Sequence, residues 1–250
     1  MGQPIAFGYF MVLNIGILLF LKKLLIIKNI PGYATLILFI TALFLTGSRG
    51  PWLCCIVMIL LFWGLPKINL NIIGIYLFSG ILAIGGILAV GKNFFISLDP
   101  YGTFSYRIAL IQNSLMEIQK NLWFGSADYF SSVELEEMRQ GQGIIDIVNS
   151  YLQVALHSGV IGLFLFALIF IILIFQIFKC VKRISRKNSP ECFYLGILMV
   201  GTLIASMLLI GTVSLLPYIK LYCWSFIALG SAYVRFIHAA EKEAVVDCRI

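Results

Sequence analysis

The sequence predicts an all-α, polytopic membrane protein with about seven transmembrane helices and a long extracytoplasmic loop that contains two amphipathic helices. Three observations predict it. Of 250 residues, 61% are hydrophobic and only 12% charged, where a soluble domain carries about 45–50% and about 25%. The apolar residues gather into runs close to the roughly 20 residues needed to cross a bilayer. A long polar interval, Gly91 to Ser158, separates the first four runs from the last three. A soluble enzyme, a disordered chain and a disulfide-stapled domain are excluded by the same composition.

Taken in order, the runs are Pro4 to Leu21, Ile30 to Leu45, Pro51 to Leu65, Ile72 to Val90, Gly159 to Phe178, Phe193 to Leu216 and Tyr218 to Val234. Each is nearly free of charge, as expected where the backbone must satisfy itself in lipid. The first is read as a span and not a signal peptide, because no basic n-region or small-residue cleavage site frames it. The expected organisation is four spans over 1–90, an extracytoplasmic loop over 91–158, three spans over 159–238 and a cytoplasmic tail over 239–250.

Lysines and arginines in short loops set the orientation. Lys22, Lys23 and Lys28, then Lys67, then Lys179, Lys182, Arg183, Arg186 and Lys187 all fall on one side if the spans alternate. That side is read as cytoplasmic, and Arg235, Lys242 and Arg249 agree. The opposite side receives Arg49 and Lys220 in its short loops. It also receives Asp99, Glu117, Asp128, Glu134, Glu136, Glu137 and Asp146, most of the 11 acids. The net charge of +7 therefore belongs mainly to a face that meets anionic membrane lipids, and no nucleic-acid partner is expected. Seven spans with a cytoplasmic C-terminus leave Met1 outside, so an odd number of preceding helices is expected to be missing. The six cysteines show no CxxC spacing and none lies in the long loop, so they are read as buried or reduced thiols.

Within the loop, Phe104, Ile108, Ile111, Leu115, Ile118 and Leu122 recur at steps of four and three. This is a stripe of helical period. It predicts an amphipathic helix from Thr103 to about Trp123, stopped by Gly125, that lies on the membrane surface or caps the bundle. Ser126 to Gly143 is polar and irregular, suited to a mobile lid. A second helix is expected from about Asp146 toward His157. On it Asp146, Asn149, Gln153 and His157 would share one polar face, as a site lining or as a solvated surface. Arg49, in the turn Thr46-Gly47-Ser48-Arg49-Gly50-Pro51, is a charge at membrane depth against the positive-inside bias. Its natural partner is a phosphate or carboxylate; the plainer alternative is an arginine that snorkels to headgroups.

Three segments carry a resemblance. Leu45-Thr46-Gly47-Ser48-Arg49-Gly50 stands between two short spans. Tyr106-Arg107-Ile108 opens a helix that ends near Trp123-Phe124-Gly125. Val148-Asn149-Ser150-Tyr151-Leu152-Gln153 is followed by His157-Ser158-Gly159-Val160-Ile161-Gly162-Leu163. Together these resemble, in matching order, the C-terminal half of the O-antigen ligase and O-antigen polymerase superfamily, with its Ser-Arg-Gly turn, its helix before a Gly turn, and its His-Asn-x-Tyr-Leu motif leading into a span. Gln3-Pro4-Ile5-Ala6-Phe7-Gly8 is similar to the start of a mid-protein helix of that superfamily. The superfamily has roughly twelve spans, so about five would be missing from the front.

The resemblance implies a GT-C-like fold in the bacterial inner membrane and a glycosyltransferase that uses an undecaprenyl-diphosphate-linked glycan donor and a glycan or lipid acceptor. It implies that Arg49 and Arg107 hold the diphosphate, with Asn149 orienting substrate or the loop. Ser48, Tyr151, Gln153 and His157 would contact substrate. No cofactor or metal is expected, since arginines can carry the developing charge and the sequence lacks DxD or His-rich ligand spacing. One position departs. Superfamily ligases carry a histidine base before the asparagine; here it is Val148, which cannot move a proton. His157 stands eight residues beyond Asn149, about 12 Å along a helix, and Asp146 is the better substitute. The departure favours a polymerase over a lipid A-core ligase. A transporter or flippase for a lipid-linked glycan, and a truncated non-catalytic member, stay as alternatives.

Overall fold

The computed structural model describes residues 4–66, 103–139, 143, 145–184, 189–214 and 217–247. The expected span Ile72 to Val90 lies outside the described residues, as do Lys67, Asp99, Arg186, Lys187 and Cys248. All regular structure among the described residues is helical: α1 (Pro4–Lys23), α2 (Asn29–Leu45), α3 (Arg49–Gly64), α4 (Thr103–Lys120), a 3-10 turn (Tyr129–Ser131), α5 (Val133–Glu136), α6 (Ser150–Arg183), α7 (Pro190–Ile210) and α8 (Pro217–Asp247).

Three of these, α1, α6 and α7, are long and apolar enough to cross a membrane; α2 and α3 are shorter apolar helices. The chain is thus an integral membrane protein. At the expected seventh span, α8 is a long helix that carries Lys220 and Arg235 and does not join those three. The first three helices begin and end within two residues of the sequence expectation, because their apolar runs stop at Lys22-Lys23, at Thr46-Gly47 and at Gly64.

The chain divides into two compact units. One comprises Met1–Leu70, Leu168–Ile210 and Leu215–Ile250, the other Asn71–Ala167 and Gly211–Ser214. In the first, α1 packs on α2, α3 and α7, and α7 packs on α3 and α8. Tyr9, Ile15, Met58, Ile197, Leu203 and Leu209 are fully buried there. Small residues let the helices approach, as is usual in lipid, where hydrophobicity does not drive helix association. A Cβ on Gly16 would stand 2.8 Å from Met58 Sδ and 2.9 Å from Leu198 Cδ1. Polar groups between the helices are few and partnered: the Tyr9 hydroxyl bonds Ser206 Oγ, Ser206 Oγ donates to Thr202 O at 2.7 Å, and Cys54 Sγ donates to Ala205 O at 3.3 Å. Lys23, at the end of α1, lies 5.4 Å from the Trp63 ring and 5.5 Å from the Tyr194 ring, while Lys22 sits over Tyr33. Lysines among aromatics at one end of a bundle match a membrane–water boundary.

The second unit is built around Leu110, Ile118, Tyr129, Leu135, Ile147, Ala155 and Leu156, with Tyr106, Met138, Ile145, Val148, Leu152 and Leu163 packed against them. One expectation needs correction here. The stretch after Ser126, expected as a lid, is packed: Tyr129 and Leu135 enter the core, and Lys120 Nζ bridges Glu117 at 2.9 Å and Glu134 at 2.6 Å. Helix α4 is where it was expected, and ends at Lys120 with Gly125 closing the turn beyond it. Its packed face overlaps the apolar stripe only in part. The buried residues are Leu110, Ser114, Glu117 and Ile118, whereas Ile111, Leu115 and Leu122 of the apolar stripe are exposed. The packed face is therefore turned by about one residue step, about 100°, from the stripe. As expected, a loop helix and a span follow one another in α6: they meet at Gly159, whose φ of 67° and ψ of −170° are not helical, although the first begins only at Ser150.

Candidate functional site

Arg49 belongs to the first unit. Its turn forms because Gly47 takes a left-handed φ of 62°, a conformation glycine adopts without steric cost. Thr46 Oγ1 donates to Leu43 O at 2.7 Å and Trp52 Nε1 donates to the same oxygen at 3.0 Å, sealing the end of α2. Ser48 is the extended residue that leads into α3, and its hydroxyl reaches Thr46 O at 3.4 Å. Pro51 is accepted in the first turn of α3 because that turn lacks intrahelical N–H partners anyway. Gly8 of α1 makes room for it; a Cβ there would stand 2.9 Å from Pro51 Cγ. Arg49 is thereby held at a helix N-terminus, exposed, and without an ion-pair partner among the described residues. Fixed positive charge and the positive end of a helix dipole coincide, which is the electrostatic requirement for holding an anion.

Arg107, Asp146 and Asn149 belong to the second unit. The expectation that Asp146, Asn149, Gln153 and His157 share a helix face is corrected, because α6 starts only at Ser150. The physical reason is a cap. Asn149 Oδ1 accepts from the N–H of Tyr151 at 2.9 Å and of Leu152 at 3.3 Å, the bonds by which asparagine starts a helix. Its side chain is committed to the backbone. Asp146 lies before the cap in non-helical chain, exposed, and is held from two sides. Ser214 Oγ stands 2.7 Å from Asp146 Oδ1 and 2.8 Å from Ile147 O. The Tyr106 hydroxyl donates to Asp146 O at 3.2 Å. Next to it, both the N–H and the hydroxyl of Ser150 donate to Val213 O, at 3.1 and 2.6 Å. Arg107 follows Tyr106 on α4, exposed and without an ion-pair partner among the described residues.

Val148 is turned into the apolar cluster, so the position that would carry a base is used for packing. Gln153 bonds the Tyr129 hydroxyl, while its Oε1 is buried without a partner among the described residues. Burial pushes the Tyr129 phenol above its ordinary value. His157 is exposed, 3.1 Å from Ser158 Oγ and edge-on to the Tyr129 ring at 6.4 Å. Tyr151 packs edge-on against Phe166 at 6.1 Å.

The two loop motifs meet directly. Ser126 N–H donates to Leu156 O at 2.9 Å and Val160 N–H donates to Leu122 O at 2.9 Å. Gly125 and Gly159 have φ of 70° and 67°, and each presses its Cα against the other's chain. A Cβ on Gly125 would stand 2.5 Å from Leu156 O; one on Gly159 would overlap the Trp123 carbonyl. This clasp and Ser214 are not visible in the local sequence pattern. Gly125 and Gly159 could be read as punctuation, but not as a pair, and Ser214 stands in no motif.

Comparison with known proteins identifies the origin of these motifs. A search of the curated proteins gives no match. The family model described as O-Antigen ligase matches residues 34–167, more than half of the chain, and so includes Arg49, Arg107, Asp146, Asn149 and the clasp. The chain is a membrane protein of the O-antigen ligase family, with that family's role in the biosynthesis of polysaccharide from lipid-linked glycan.

Proposed function

We propose that the chain is a metal-independent glycosyltransferase that polymerises undecaprenyl-diphosphate-linked glycans, with its site on the extracytoplasmic side of the bacterial inner membrane. The observation that carries this reading is Asp146: an exposed carboxylate fixed at one oxygen by Ser214, with its backbone carbonyl held by the residue next to Arg107.

In this reading the Asp146 carboxylate takes the proton of an acceptor sugar hydroxyl. The hydroxyl oxygen bonds to the donor's anomeric carbon as the bond from that carbon to the diphosphate oxygen breaks, and undecaprenyl diphosphate leaves with the electron pair. Arg107 meets the negative charge that builds on the diphosphate, by charge-assisted hydrogen bonds, and Arg49, at its helix N-terminus in the first unit, is an anion-binding position of the same kind. Asn149 contributes by starting α6, the helix that carries Tyr151, Gln153 and His157 as substrate contacts, and Ser48 is a further substrate contact. The packing of Val148 weighs against a ligase that needs a histidine there.

The test is glycan extension by purified protein in bilayers. Asp146→Asn is expected to slow extension by about 10²–10⁴-fold, the usual contribution of a general base. Arg49→Ala and Arg107→Ala are each expected to cost about 10²–10³-fold. Normal chain-length ladders from all three variants would overturn the reading. Extension that appears only in Val148→His would make the natural chain a non-catalytic member.

A further inference from the structure

The least expected feature of the second unit is the orientation of α4. A unit surrounded by water would turn its most apolar stripe inward. Here the buried face includes Ser114 and Glu117, while Ile111 and Leu115 are 41% and 49% exposed. The exposed stripe continues past the helix end into Leu122 at 41%, Trp123 at 61% and Phe124 at 79%. The clasp then joins it to the membrane-crossing helix, since Val160 N–H donates to Leu122 O and Ile161 N–H to Trp123 O. Beyond the clasp, Val160, Ile161, Phe164 and Leu165 of that helix are exposed as well, and α6 is apolar enough to face lipid. Exposed apolar residues thus stand on the crossing helix, at its junction with the loop and on α4, with Ile118 turned inward among them. Exposed apolar area of this kind marks a contact surface. Its aromatic members stand where the crossing helix begins, the position of interfacial tryptophans.

We propose that Ile111, Leu115, Leu122, Trp123 and Phe124 rest in the boundary between lipid headgroups and acyl chains, making α4 an interfacial ledge. The occupant of this face is the bilayer itself. Arg107 and Ile111 are one helical step of four apart and are neighbours on the ledge. The ledge therefore holds the guanidinium at the depth of lipid phosphates, a consequence that rests on the diphosphate-binding reading of Arg107.

The test uses Trp123 as a depth probe. The full chain with Trp52, Trp63 and Trp224 replaced by phenylalanine is reconstituted into phosphatidylcholine vesicles with and without lipids brominated near the top of the acyl chain. Subtracting the emission of Trp123→Phe from that of the natural protein gives the same signal without the triple replacement. The ledge requires bromolipids to quench at least about half of the Trp123 emission and aqueous iodide to quench little. Quenching by iodide and not by bromolipid overturns it. The Arg107→Ala extension assay is run beside it. Trp123 in lipid with an active Arg107→Ala keeps the ledge and removes the role of Arg107. Trp123 in water with an inactive Arg107→Ala removes the ledge and keeps the proposed function.

Discussion

Gly16 in the first unit faces the flexible ends of Met58 and Leu198, whereas Gly125 and Gly159 in the second face rigid main chain. The contrast extends beyond glycine. The helices of the first unit meet through apolar side chains with a few buried hydroxyl and thiol bonds. The second unit has a small apolar cluster and is stitched by main-chain bonds between segments, a helix cap, a serine at each of two junctions and the Lys120 ion pairs. In lipid, secondary structure forms before packing and close approach suffices. A polar segment with little core must fix its geometry through directional bonds, so its tolerance for change is concentrated at fewer atoms.

The largest test of that contrast is the same substitution in both units. Gly159→Ala combines a left-handed φ with overlap onto the Trp123 carbonyl. It is expected to cost about 3 kcal/mol or more, opening the second unit to protease between residues 121 and 161. Gly16→Ala meets movable side-chain ends and is expected to cost at most about 1–2 kcal/mol, seen as a small drop in the thermal midpoint of the bundle in detergent. Equal losses would erase the distinction.

Smaller effects should come from single stitches. Asn149→Ala removes the cap of α6 and is expected to cost about 1 kcal/mol. Asn149→Asp, which retains an acceptor at the cap, should recover most of it. Protease protection of the second unit, followed against temperature, checks both.

The smallest effect is electrostatic. Lys120 holds the Glu134 carboxyl below its ordinary value of 4.5. A carboxyl lowered in the folded state contributes stability that is present above the unfolded value and lost as pH falls through the folded one. Protection around residues 133–136 should therefore be flat near neutrality and decline on acidification below about pH 4.5. Glu134→Gln should flatten that decline, and salt should weaken it in the natural chain, since the pair is exposed. An acid decline unchanged in Glu134→Gln would assign it to other carboxylates.

The same contrast explains what could be read from the sequence. α1, α2, α3 and α7 were legible because membrane helices announce themselves by continuous apolar runs with abrupt ends, which need no knowledge of neighbours. The Gly47 turn and the Gly125 stop were legible because glycine signals backbone geometry locally. For α4 the helix and its stripe were legible, but periodicity identifies the apolar stripe and not what covers it. Asp146 was placed on a helix because spacing alone cannot reveal that Asn149 spends its side chain on a cap. Ser214 and the Gly125–Gly159 pairing depend on contacts between distant segments, and one sequence does not contain them. Arg49 stood out by type and position and Arg107 only through the resemblance; both are exposed.

The bond between Ser214 and Asp146 also has a consequence in time. The two residues are 68 positions apart, and Ser150 and Val213 are 63 apart. A ribosome adding about 5–20 residues per second presents Asp146 about 3–14 s before Ser214. During that interval α6 and α7 are being made, and Tyr106 is the partner that Asp146 already has among the described residues. The second unit is therefore finished by a segment synthesised after it, and its last stitch closes only when two further helices exist.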